Sequence, residues 1–155
     1  MTPLPITAHA LSGRYLGITE RVGDREHPLI QWWLSLCGYG LDAKDEVPWC
    51  SAHVNGIAWE LGLERSKSAA ARSWLLIGQP LPLAQAEPGF DVVILKRGAG
   101  VQPGPEVIAA QGHVGFYGGL EGEAIRIRGG NQGNAVSDAL FPKTQILGIR
   151  RLRPA

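Results

Sequence analysis

The spacing of hydrophobic positions changes partway along the chain. In "HPLIQWWLSLCG", Leu29, Ile30, Trp33, Leu34 and Cys37 recur at helical intervals, with Pro28 near the start and Gly38 at the end. His27, just before Pro28, reads as a cap or a solvent-facing residue. A loop from Tyr39 to Trp49 follows. A second helix then runs from Cys50 to Leu61, with Val54, Ile57, Ala58 and Leu61 on the same face as Cys50 and Gly62 as its stop. "SKSAAARSWLLIG" predicts a third helix, capped by Ser66 or Ser68 and ended by Gly78. Trp33, Trp59 and Trp74 fall on these helices and read as core.

After "QPLPLAQAEPGF" the period becomes two. "DVVILKR" (Asp91 to Arg97) and "HVGFYGG" (His113 to Gly119) predict strands, the second with His113, Gly115 and Tyr117 on one face and Val114 and Phe116 on the other. "EAIRIRGG", "NAVSDALF" and "QILGIRRL" predict three more. The loop from Gly98 to Gly112 is long for a hairpin and has room for a short element near Val107 to Ala110. Strands joined by short Gly-rich turns pair antiparallel. Helices first and strands later is the α+β pattern. The expected architecture is N-terminal helices packed on an antiparallel sheet of about five to six strands. At 155 residues, without repeat or linker, the expectation is one domain over 1–155.

Composition removes several functions. Fifteen basic against 14 acidic residues leave a net charge of +1 and no basic footprint for nucleic acid. No stretch approaches the ~18 apolar residues of a membrane span, and "MTPLPITAHALSGRYLG" lacks the basic and apolar regions of a signal peptide. The expectation is a protein made in the cytoplasm. Asp42, Asp45 and Glu46 offer oxygens, but Lys44 stands among them, so a solvated acidic loop is preferred to a calcium site. His and Cys never form a paired zinc motif. No metal or cofactor is expected.

The chain has only two cysteines, too few for a disulfide framework. Cys50 stands where a helix begins, behind Pro48 and Trp49. A helix N-terminus favours a thiolate, and its unpaired N–H groups suit an oxyanion. Position alone favours an inert buried residue. Downstream sequence changes that. His113 starts a strand directly after Gly112, which fixes its direction as a base requires. Asn131 and Gln132 stand at the end of the next strand, in "GGNQGN", beside the start of the previous one if the pair is antiparallel. An amide there can hold an imidazole, as in Cys-His-Asn sites. His53, a turn after Cys50, reads as an exposed or half-buried helix residue, and Cys37 as the core cysteine.

"DEVPWCSAHVNGIAWELG", "GHVGFYGG" and "RGGNQGNAVSDALFPKTQILGIRR" together resemble the CHAP and NlpC-type branch of papain-like peptidoglycan amidases, over about Gln31 to Arg151. The resemblance implies a papain-like fold and a cell-wall hydrolase. Cys50 would be its nucleophile, His113 its base and Asn131 its orienting residue. One departure is Gly129, where many CHAP domains carry Glu; Gln132 is the alternative third member. Trp49 and Gln132 are candidate substrate contacts. The implied partner is peptidoglycan, reached after release or delivery. The role would be a phage endolysin with its holin, or a type VI-like toxin with its immunity protein. A non-catalytic wall-binding or phage structural module on the same fold, or a protease acting on proteins, is the other reading.

Overall fold

A computed structural model describes residues 5–21, 26–43 and 47–155. The helices are α1 (Ala8–Ser12), α2 (Pro28–Ser35) and α3 (Cys50–Glu60). The strands are β1 (Gln79–Leu81), β2 (Asp91–Lys96), β3 (Gly112–Glu121), β4 (Ala124–Gly129), β5 (Ser137–Pro142) and β6 (Ile146–Arg151). All six form one antiparallel sheet in the order β1-β6-β2-β3-β4-β5. The expected α+β architecture is the one observed. No described helix is long and apolar enough to cross a membrane.

The alternation along β2 and β3 divides the core in two. Val92, Ile94, Val114 and Phe116 face the helices and pack with Cys50, Val54, Ile57, Ala58 and Trp74. Val93, Leu95 and Tyr117 face the other way, with Ile125, Ile127 and Ile149. A third cluster joins Ile30, Trp33 and Leu34 of α2 to Trp49, Ala52 and Val136. His27 caps α2, its Nδ1 accepting the Leu29 N–H at 3.1 Å.

Helix α3 is buried on all sides from Cys50 to Ala58, not on one face. A helix so placed must satisfy its polar side chains internally. Ser51 Oγ donates to Ser68 O at 2.6 Å and accepts from the Trp74 indole at 2.8 Å. The Asn55 amide donates to Ser51 O and accepts from Lys67 N. These bonds tie residues 66–68 to the helix.

That tie explains a departure from expectation. The third helix is only a 3-10 segment, Ala71–Leu76. Lys67, at φ 56, is outside the helical region, so no helix can run through it. Ala71, Trp74 and Ile77 are spaced by three, which serves a 3-10 turn as well as an α-helix. Two further expectations are corrected, and two elements are new. Trp59 is 53% exposed, edge-on to Trp32, instead of core. "NAVSDALF" becomes strand only at Ser137, because Asn134 sits at φ 59 and Ala135 bridges to Thr19 instead. The short helix α1 and the three-residue strand β1 had no counterpart in the hydrophobic pattern.

Candidate active site

Three elements meet at the N-terminus of α3. Trp49 is its N-cap but makes no side-chain capping bond, and the first bond of the helix runs from His53 N to Trp49 O. The N–H groups at Cys50, Ser51 and Ala52 therefore lack partners within the helix. Strand β4 pairs with β3 only from Phe116, opposite Arg128, onward. Residues 112–115 of β3 have no ladder partner in β4, and Cys50 meets this stretch at His113 and Val114. The Cys50 thiol shares a hydrogen bond with the His113 ring and takes the backbone N–H of Val114.

The end of β4 threads between α3 and β3. A Cβ on Gly130 would lie 2.7 Å from the Trp49 ring and 2.8 Å from His53 Cβ. A Cβ on Gly129 would lie 2.8 Å from Gln132 Oε1. The missing side chain at 129 is what leaves room for Gln132 to fold back beneath its own turn. There the Gln132 amide nitrogen donates to Ile127 O at 3.1 Å and Ser137 O at 2.7 Å. Both amide hydrogens are thus used, so the amide oxygen must face His113, and it lies 2.8 Å from His113 Nε2. An oxygen acceptor requires the proton on Nε2. With Nε2 engaged by Gln132, Nδ1 is the ring nitrogen left for Cys50.

Asn131 is the expected orienting residue and Gln132 its alternative, and the amide on the ring is that of Gln132, not Asn131. Asn131 sits at φ 57 in the left-handed turn and faces a cleft, with no hydrogen bond from its side chain among the described residues. Trp49 also departs from expectation. It is fully buried, stacked on Trp33 at 6.0 Å with its indole N–H on Glu20 at 2.8 Å, so it contacts no open groove.

Burial pushes the Cys50 thiol up. The bond to His113, the charge on that ring, the Val114 N–H and the Arg97 guanidinium outweigh it, and the thiol lies below its ordinary value. Cys37 contrasts with it. Half-buried against the cluster of Ile30, Trp33, Leu34 and Trp49, it is pushed up to about 12 by burial and stays a thiol.

Two clefts open onto this row. One, about 470 Å³, is lined by Lys96, Arg97, His113, Asn131, Gln132 and Phe141, among others. Phe141 stacks on the His113 ring at 5.2 Å. The second, about 420 Å³, is lined by Cys50, Arg97, Ala70 and Ala110, among others. The wall of this second cleft depends on Arg72, which sequence reasoning passed over. Arg72 is fully buried and donates to the carbonyls of Pro103, Gly104, Val107 and Gln111. It holds the 98–112 loop in place as turns. An arginine inside the small, apolar run "SAAARSWLL" was the one signal available.

His53 is fully buried between Trp33 and Phe116, with Nε2 3.0 Å from Ser12 Oγ, contrary to the exposed position expected. Its Nδ1 has no partner among the described residues. Burial first, and the charge on His113 second, lower its pKa from 6.5 to about 3. The unfolded chain binds a proton there below pH 6.5, the folded chain only below about 3. Between those values the unfolded state holds the extra proton, so stability falls as pH falls, by up to about 1.4 kcal/mol per unit. Above that window His53 contributes no pH dependence. Urea midpoints taken at steps across it should show the slope in the wild type and a flatter one in His53→Gln. Parallel slopes would refute the assignment.

Among the described residues no three His, Cys, Asp or Glu side chains group as metal ligands. Of the acidic loop, Asp42 is exposed, while Lys44, Asp45 and Glu46 lie outside the described residues.

Fold and site together define an arrangement: an α+β domain whose buried thiol, at a helix N-terminus, is hydrogen-bonded to a strand-borne imidazole that an amide holds. No protein-family model matches the sequence, and no curated protein matches it. Among solved structures the chain is similar to NlpC1 from Trichomonas vaginalis, with a TM-score of 0.46 and 17% identity over 94% of this chain and 43% of that one. The chain thus spans less than half of that protein's length, and a likeness of this degree carries no functional argument.

Proposed function

We propose that the protein is a thiol hydrolase that cleaves an amide bond in the peptide of bacterial peptidoglycan. One observation carries the chemistry: the hydrogen-bonded row of Cys50, His113 and Gln132, set at an uncapped helix N-terminus and opening to clefts. The substrate comes from the resemblance of the three sequence motifs to papain-like peptidoglycan amidases.

His113 Nδ1 takes the proton from Cys50, and the thiolate adds to the amide carbon. The Cys50 N–H, unpaired within the helix, holds the developing oxyanion. The C–N bond breaks, and His113 returns its proton to the leaving amine. Water, deprotonated by His113, then hydrolyses the thioester and regenerates the thiol. Gln132 keeps the ring in the one tautomer that serves both steps.

Incubation with purified peptidoglycan, followed by mass spectrometry of the soluble fragments, tests the reading. New amine termini within the stem peptide are expected. They should be absent after treatment of the protein with iodoacetamide. Fragments that persist after complete alkylation of Cys50 would sink the thiol mechanism. No fragments at all, from protein whose Cys50 alkylates readily, would sink the substrate.

A further inference from the structure

Arg97 follows directly on β2 and lines both clefts, and no other charged residue does. Across β2 and β3, Lys96 pairs with Gly112 and Leu95 with His113, so Arg97 stands beside the start of the strand that carries the ring. Its side chain is exposed, with no hydrogen bond or ion pair among the described residues. Lys96 adds a second cation to the cleft on the His113 side. Neither cleft has an Asp or Glu in its lining. On a chain of net charge +1, that is a local excess of positive charge at the reacting atoms. Unpaired cations facing a cleft attract anions, and a guanidinium fork matches a carboxylate in two parallel bonds.

We propose that Arg97 binds a free carboxylate of the substrate next to the scissile amide, making the site selective for acidic peptides. The proposal rests on the hydrolase reading of the same site. Arg97 also acts on the Cys50 thiol through space, so its test must separate the two effects. Iodoacetate and iodoacetamide both need the thiolate, and only iodoacetate carries a carboxylate. The ratio of their rates at Cys50 therefore cancels any change in thiol ionisation and reads carboxylate binding alone.

Peptide mapping follows alkylation of Cys50 in the full chain. The iodoacetate-to-iodoacetamide ratio is expected to fall about tenfold in Arg97→Gln. An unchanged ratio, with both rates moving together, would overturn the proposal, leaving Arg97 an influence on the thiol only. A second arm uses purified peptidoglycan whose free carboxylates have been converted to methyl amides. The wild type should cleave it about tenfold more slowly than the native polymer, while Arg97→Gln should treat the two alike. Equal wild-type rates on both polymers would also overturn it. Failure of Cys50 to react with either reagent would sink the hydrolase reading, and this proposal with it. Normal iodoacetamide reactivity with an unmoved ratio removes only the role of Arg97.

Discussion

Cys50→Ala is expected to abolish amide hydrolysis, with a loss of about 10³-fold or more in kcat. No other group can take its place. Cys37, the other cysteine, is held protonated by its burial, pushed up to about 12. Ser51 is committed to Ser68 O and the Trp74 indole. Cys50→Ser should fail almost as completely, because a hydroxyl is a far weaker acid and His113 alone would have to activate it. The thiol itself is directly observable. Its alkylation rate by iodoacetamide, plotted against pH, should reach half of its maximum below the ordinary thiol range of about 8.5, because the His113 bond and the Val114 N–H favour the thiolate more than burial opposes it. Removing one sulfur beside the helix start leaves the α3 core in place, so thermal melts should show a folded variant. A folded Cys50→Ala that still releases amines from peptidoglycan would end the thiol mechanism. A wild-type thiol that alkylates only above the ordinary range would contradict the row of hydrogen bonds.

The parts of this molecule that were legible in the sequence are those that local periodicity decides. Helix α2, the start of α3 and strands β2, β3 and β4 follow from spacing of apolar residues alone. Cys50 and His113 were visible for a related reason: Cys50 opens α3 and His113 is the second residue of β3, and near the start of an element backbone direction fixes side-chain direction. The misreadings all lie where a distant segment decides. His53 has the spacing of a surface residue, and it is buried because Gly130, far along the chain, passes against it. Trp49 sits beside the nucleophile in sequence, yet it turns inward to stack on Trp33. The expected third helix, a 3-10 segment over Ala71–Leu76, was misread because residues 66–68 are claimed by Asn55. Arg72 and Arg97 carry no periodic signal at all. One organises a loop through carbonyls that sequence does not mark, and the other matters only because two clefts meet at it.

The choice between Asn131 and Gln132 is of the same kind, and it gives the second large expected effect. Gln132→Met, which keeps the length of the side chain and removes its hydrogen bonds, should lower kcat by about 100-fold. Asn131→Ala should change kcat by no more than about threefold, because its side chain hydrogen-bonds neither Cys50 nor His113. The asymmetry follows from reach and from donor count. At φ 57 the Asn131 backbone sends its short side chain outward to the cleft. The longer Gln132 side chain passes the vacant Cβ position of Gly129, and its two donors are fixed by Ile127 O and Ser137 O. Its oxygen then has no option but the Nε2 proton of His113. Without that acceptor the ring can turn, or place its proton on Nδ1, where it cannot take one from Cys50. Gln132→Met also forfeits bonds of about 1–3 kcal/mol in a buried place, so a fall in thermal midpoint is expected alongside. Stability loss and ring disorder are told apart at a temperature well below the melt. Disorder of the ring shows there as an upward move in the pH of half-maximal Cys50 alkylation, which a merely less stable protein would not give. Swapped results, with Asn131→Ala crippled and Gln132→Met active, would return the orienting role to Asn131.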